Sequence, residues 1–256
     1  MSPHKHSALY SYIESLHGDQ SWGRFLDAGT GVNSIRWVLE RDCTQWIAVT
    51  GAKGDADRVR TEAGPALETG NEVLLGNWAD RSFLDGEVFD TVLADYLIGA
   101  IEGFAPYFQT YMFARLRALT GKVLYLTGLE PYVPIAQPES LDGQLVWQIG
   151  RLRDACLLLT GTSPYREYPA PWVADQLQRN GFAVQSVKHF KIGYKARFVN
   201  SQIDMCLTRL KRHDDRAVAE ALTERAEALR AQALSAVETN GALRFCRNYV
   251  IEARPV

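Results

Sequence analysis

The chain has 256 residues, of which 46% are hydrophobic and 23% charged, and its formal net charge is −2 at pH 7. That length suits one large domain, or a domain with a sizeable insertion, and the composition is that of an ordinary globular protein. The slight negative charge argues against a nucleic-acid partner, which normally announces itself as a basic domain or stripe.

In chain order the periodicity is that of an α/β protein. "SALYSYIESLHG" places Leu9, Tyr12, Ile13 and Leu16 on one helical face, and Gly18 stops the helix. "GRFLDAG" reads as a short buried strand, and "NSIRWVLERD" as a helix with Ile35, Val38 and Leu39 inward. "QWIAVTG" is a second strand, "GDADRVRTEAGPALETG" starts helical and then loosens, "NEVLLGNW" is a third strand and "FDTVLADY" a fourth. "FAPYFQTYMFARLRALTG" reads as a long amphipathic helix ended by Gly121, before a fifth strand, "KVLYLTGLE". Strand alternating with helix implies right-handed crossovers and a mostly parallel sheet with helices on both faces. Apolar runs without strict alternation suit strands buried on both sides.

Past residue 130 the rhythm changes. "PYVPIAQPESLDG" is proline-rich loop, "QLVWQIGRLRDACLLLTG" a helix and "TSPYREYPAPW" an irregular aromatic stretch. "PWVADQLQRNG" is a helix with proline at its start and glycine at its end, and "FAVQSVKHFKIGY" is a strand. Val199, Ile203, Cys206, Leu207 and Leu210 stand at helical spacing, the alanine-rich run from about 214 to 238 is strongly helical, and "LRFCRNYVIEARPV" closes the chain as a strand. "GYKARF" (193–198) reads as a solvated loop, with a substrate-binding role as the alternative.

Cys43, Cys156, Cys206 and Cys246 are far apart and form no CxxC or Cys/His cluster, so no metal site is expected and the thiols read as buried and reduced. "MSPHKHSALYSY" lacks an apolar signal core, and no run approaches the ~18 residues of a membrane helix, so a soluble, cytoplasmic protein without membrane contact is expected. His4 and His6 read as surface residues; His17, His189 and His213 show no partner acid.

Chemistry concentrates in "RFLDAGTGVNS", residues 24–34. A strand feeding a glycine-rich turn and then a helix lets the backbone approach a ligand and presents free amide groups. A dinucleotide loop wants G-x-G-x-x-G, but the third position here is Ser34, and Asp27 precedes the glycines. A carboxylate repels a pyrophosphate and suits a cationic ligand, such as an ammonium or a sulfonium.

"FLDAGTG" resembles the first motif of class I S-adenosylmethionine-dependent methyltransferases, and "VLLGNWAD", "FDTVLADYLIGAIEG", "LTGKVLYLTG", "RNGFAVQSV" and "NYVIEARP" resemble later motifs of that family in order. The resemblance implies a Rossmann-like seven-stranded sheet with a helical insertion before the last strand, S-adenosyl-L-methionine as cofactor, and methyl transfer. It implies a single domain over 1–256 with a substrate-side insertion at 131–172 and a helical insertion at 198–238. Asp27, Gly29, Thr30 and Gly31 would line the methionine part. Thr50 stands where the family keeps an acid for the ribose hydroxyls, with Asp55 or Asp57 as substitutes. Asn77 and Trp78 would sit at the adenine, Trp78 reading equally as a core aromatic, and Asp95 and Tyr96 beside the transferable methyl, the first residues to examine for a general base. Asp95 is not followed by Pro-Pro-Tyr, which argues against nucleobase or glutamine amino groups as acceptors.

Ligands of such folds lie beyond the carboxyl ends of the strands, where loops carry specificity. Tyr165, Arg166 and Tyr168 are therefore candidate acceptor contacts, Arg166 for a carboxylate, against the alternative of a structural Arg166–Glu167 pair. The expected acceptor is an O, N or S nucleophile of a small metabolite or peptide. Two other readings compete: a nicotinamide-dependent oxidoreductase, disfavoured by Asp27, and a non-catalytic cofactor-binding scaffold. In the scaffold reading the 214–238 helix is an interaction surface; it serves equally as a lid or as the contact of a homodimer.

Overall fold

The structure is a computed structural model that describes residues 7–256, the side chains of residues 68 and 69 excepted. The expectation for His4 and His6 lies outside the described residues. Seven strands form one sheet: β1 (Gly23–Asp27), β2 (Cys43–Thr50), β3 (Glu72–Leu75), β4 (Phe89–Asp95), β5 (Thr120–Leu129), β6 (Phe182–Tyr194) and β7 (Leu243–Pro255). Their order is β3-β2-β1-β4-β5-β7-β6, and β1 pairs in parallel with β2 and β4, β2 with β3, and β4 with β5. The order turns outward from β1 in both directions, so the carboxyl ends of β1 and β4 flank the crevice where a ligand binds in open α/β sheets.

The helices are α1 (Ala8–His17), α2 (Val32–Val38), α3 (Lys53–Ala63), α4 (Leu97–Ala100), α5 (Gln109–Leu119), α6 (Leu141–Leu159), α7 (Ala170–Arg179), α8 (Ala196–Leu210) and α9 (Arg216–Asn240). Their ends follow local chemistry. The hydroxyls of Ser7 and Ser140 and the carboxylate of Asp215 accept the Tyr10, Gly143 and Val218 amides and cap α1, α6 and α9. No helix among the described residues is long and apolar enough to cross a membrane.

The chain divides into two compact units. The first comprises the chain up to Gly128 together with Tyr168–Phe190 and Tyr249–Val256. Its strands are buried on both faces: Leu26, Val92, Leu124 and Ile251 pack in one cluster with α5 and α7 residues, and Phe25, Leu93, Tyr125 and Val250 in another with residues of α1, α2 and α3. The second unit comprises Leu129–Glu167 and Lys191–Asn248. There α6, α8 and α9 pack on one another through Val146, Ile149, Cys156, Val199, Ile203, Cys206, Leu229 and Ala233.

Four expectations need correction. The buried face of α1 is Leu9, Tyr10, Ile13 and His17, and Tyr12 and Leu16 are only half-buried. His17 is held inside because its ring stacks on Trp22 at 3.6 Å and its Nδ1 lies 3.0 Å from the Tyr125 hydroxyl. The fifth helix begins at Gln109 rather than near Phe104, and it ends at Leu119, because Thr120 already has extended backbone. Gly121 lies within β5, where a Cβ would come within 3.1 Å of the Phe89 carbonyl oxygen, a tight approach between the strands. Finally, Gly193 and Tyr194 end β6, and Ala196–Phe198 begin α8, so 193–198 is not a free loop.

Candidate functional site

The first unit gathers Asp27, Gly29, Thr30, Thr50 and Asp95 at the carboxyl ends of β1, β2 and β4. Each bend of the loop is tied to a neighbouring strand: the Ala28 amide donates to the Leu93 carbonyl at 2.8 Å, and the Thr30 amide to the Val49 carbonyl at 2.8 Å. Gly29 sits in close approach, since a Cβ there would lie 3.3 Å from the Asp95 carbonyl oxygen and 3.3 Å from Leu97. At Gly31 a Cβ would meet nothing within 4 Å, so that side of the loop is open. Ser34 explains the missing third glycine. Its buried Oγ accepts the Gly31 amide at 2.9 Å and donates to the Gly31 carbonyl at 3.1 Å, closing the first turn of α2 locally.

Asp27 is fully buried, and neither carboxyl oxygen has a hydrogen-bond partner among the described residues. Burial pushes its pKa up to about 7, and the nearby dipoles of Ser34, Thr30 and Gly29, together short of compensating it, pull the other way. A buried acceptor with two unused oxygens is costly unless something else partners it. A cationic ligand group at the β1 end would do so.

Asp95 is half-buried at the end of β4, and burial raises its pKa against the hydrogen bonds it accepts from Thr127 and Tyr10. Thr127 Oγ1 donates to Oδ1 at 2.6 Å and Tyr10 Oη to Oδ2 at 2.8 Å. Thr127 is the register partner of Asp95 across β4 and β5. The next residue, Tyr96, is exposed and takes a left-handed backbone, φ 49°, which a non-glycine residue adopts only at a cost. Its amide donates to Thr127 Oγ1 at 3.1 Å, so the strained turn is tied to the same hydroxyl.

The residues expected at a ribose and an adenine are engaged within the protein. Thr50 is buried; its Oγ1 accepts the Ala52 amide at 3.4 Å, and its carbonyl accepts the Gly76 amide at 3.0 Å. Asp55 pairs with Arg58, and Asp57 with Lys53 at 3.0 Å and Arg60 at 3.5 Å, so both acids are engaged by cations of their own helix. Asn77 closes a turn, accepting the Ala79 amide at 3.0 Å while its Nδ2 donates to the Phe104 carbonyl at 3.2 Å. Trp78 is a core residue, edge-on to Phe83, with Nε1 donating to the Ala28 carbonyl at 3.0 Å. It braces the glycine loop instead of offering an open face to an adenine. Phe104 is the aromatic that sequence reasoning missed here: it stands so close to Gly51 that a Cβ would lie 2.7 Å from its ring.

Among the candidate acceptor residues, Tyr165 and Arg166 are exposed and belong to the second unit. Arg166 forms no ion pair with Glu167; burial pushes the Glu167 carboxyl up to about 7, opposed by the Arg153 guanidinium. Tyr168 belongs to the first unit and is a packing residue, stacked on Trp172 at 4.5 Å, with its carbonyl accepting the Tyr249 hydroxyl at 2.9 Å. Tyr10 and Thr127 were missed altogether. Thr127 had one visible signal, a hydroxyl inside the apolar run "VLYLTGL".

No protein-family model matches the chain, and no curated protein matches it in sequence. Solved structures do match it. A putative methyltransferase from Bacillus halodurans C-125 has a TM-score of 0.57 at 14% identity, covering 96% of this chain and 99% of that one. A mycolic acid cyclopropane synthase complexed with SAH and CTAB has a TM-score of 0.55 at 20% identity, covering 95% and 83%. Coclaurine N-methyltransferase bound to N-methylheliamine and SAH has a TM-score of 0.53 at 14% identity, covering 96% and 72%. The chain therefore has the Rossmann-like fold of class I methyltransferases, a mostly parallel seven-stranded sheet with helices.

Proposed function

We propose that this protein binds S-adenosyl-L-methionine and transfers its methyl group to an O, N or S nucleophile of a small metabolite or peptide. The observation that carries the reading is the buried Asp27 carboxyl, whose oxygens lack partners beside a glycine loop open at Gly31. It fits a ligand with a cationic amino-acid end and does not fit a pyrophosphate. Likeness of fold to proteins solved with SAH supports the same cofactor. When bound, the cofactor would supply an electrophilic methyl on a sulfonium.

The chain's own residues have three tasks in this reading. Asp27 partners the ligand's ammonium and is drawn into its ionised form by it. The Gly29–Gly31 backbone admits the ligand close to the strand ends. Asp95 and Tyr96 stand where the methyl is transferred, with the carboxylate of Asp95 held by two donors and available to orient an acceptor or take its proton. Positioning two reactants and excluding water supplies most of the acceleration for such a displacement. Tyr165 and Arg166, both exposed, remain proposed acceptor contacts, and Tyr168 packs on Trp172 within the first unit. Asp55 and Asp57 are engaged on their own helix, so no ribose contact is assigned to them.

Thermal unfolding with S-adenosylmethionine, S-adenosylhomocysteine and NADH tests this. A ligand that binds only the folded state raises the midpoint. The first two are expected to raise it and NADH to leave it unchanged. Stabilisation by NADH alone overturns the reading.

A further inference from the structure

Tyr10 lies on α1, 85 residues from Asp95 in sequence, yet its hydroxyl meets the carboxylate at 2.8 Å. Its ring is stacked on Trp37 with centroids 5.0 Å apart and planes 17° from parallel, and the residue is only 6% exposed. The phenol therefore has one orientation, fixed by an aromatic face. On the other side Thr127 Oγ1 donates to Oδ1 at 2.6 Å and accepts the Tyr96 amide at 3.1 Å, which fixes the direction of that hydroxyl as well. Each carboxylate oxygen thus receives one donor, from two different elements, and both donors favour the ionised form.

We propose that Tyr10 is a positioning residue, which orients the Asp95 carboxyl at the methyl-transfer end of the site and favours its ionised form. This rests on the proposed cofactor. The groups that act on Asp95 are Tyr10 from α1, Asp27 from β1 and Thr127 from β5, and the Tyr96 amide meets the same Thr127 hydroxyl. Burial, with the neighbouring carboxyls of Asp95 and Asp27, raises the Tyr10 pKa, so the phenol remains a donor across the physiological range. A bystander phenol anchoring α1 would matter to stability alone. A positioning phenol also sets the pH at which Asp95 loses its charge, and hence how strongly the site distinguishes a sulfonium from a neutral sulfur.

The sign follows from the chemistry. Removing a donor from the charged form raises the Asp95 pKa, so the acid-side fall in affinity for a cation moves to higher pH. A charge-assisted hydrogen bond is worth roughly one pH unit or more in such a shift. The experiment is titration calorimetry of S-adenosylmethionine and S-adenosylhomocysteine from pH 5.5 to 8.5. It uses the wild-type chain, Tyr10→Phe, Asp95→Asn and the double variant, with near-ultraviolet circular dichroism as the check on folding. Phenylalanine keeps the ring and its stacking on Trp37. The expected result is an upward displacement of the S-adenosylmethionine profile by about one pH unit in Tyr10→Phe, a smaller one for S-adenosylhomocysteine, and no added effect of Tyr10→Phe in the Asp95→Asn background. A folded Tyr10→Phe with the wild-type profile overturns the inference, as does an equal loss in both backgrounds. A folded wild-type chain that binds neither ligand overturns the proposed cofactor instead.

Discussion

Replacing Asp27 with asparagine is expected to abolish binding of S-adenosylmethionine while making the ligand-free protein more stable at neutral pH. The carboxyl is fully buried without a hydrogen-bond partner among the described residues, and burial pushes its pKa up to about 7. A carboxyl raised above its unfolded value holds a proton in the folded chain that the unfolded chain has already lost. Its contribution is fully present below the unfolded pKa and is lost as pH rises through the folded one. Wild-type stability is therefore eroded between about pH 4 and pH 7 by this group, by on the order of 4 kcal/mol. Asparagine has the same shape and no charge to desolvate, so the penalty that grows with pH is absent from the variant. The variant should melt roughly 5 °C or more above wild type at pH 8, with the difference shrinking at pH 5. Melting curves at the two values check this. Equal midpoints at both pH values contradict the assignment of Asp27 as an uncompensated acid kept for a ligand.

Gly128→Ala is expected to cost roughly 3 kcal/mol and to lower the melting point by roughly 5–10 °C. Gly128 is in β5, and a Cβ there would lie 2.2 Å from the Tyr249 ring and 2.3 Å from its hydroxyl oxygen. Tyr249 is buried, so the ring has no free volume to enter, and moving it also breaks its hydrogen bond to the Tyr168 carbonyl at 2.9 Å. The loop carrying the candidate acceptor residues would thus lose an anchor at its end. Tyr249→Leu removes the obstacle, so the double variant should be less destabilised than the two single losses added together. Denaturant melts of the four proteins measure this coupling, and strictly additive losses contradict the steric account.

Much of this architecture can be read from the chain because buried parallel strands appear as apolar runs with sharp ends. "RFLD", "WIAV" and "TVLAD" coincide with β1, the inner part of β2 and β4. The acid and glycines of residues 27–31 are adjacent in sequence, so their grouping needed no tertiary information. The rest of the site depends on contacts between distant residues. On α1 two phases of apolar residues compete, and hydropathy favours Leu16 over His17; the partners that bury His17, Trp22 and Tyr125, are invisible to a helical count. Tyr10 belongs to the same phase and was lost with it. Trp78 shows the converse. Its position after β3 is as the motif has it, but its Nε1–H found the Ala28 carbonyl, and a satisfied indole in a core cannot also be an open stacking face. Asp55 and Asp57 were attractive ribose ligands until their three- and four-residue spacing to Arg58, Arg60 and Lys53 produced ion pairs on the helix surface.

The central claim is that Asp27 receives the cationic end of S-adenosylmethionine. Titration calorimetry at pH 7, repeated in two buffers of different ionisation enthalpy, measures it most directly. With the Asp27 pKa raised to about 7 in the free protein, a cation drawn against it should expel up to about half a proton per site, and affinity should strengthen from pH 5 to pH 7. Binding with that proton release is the predicted result. Absence of binding by the folded protein, or binding whose heat is the same in both buffers, would contradict it.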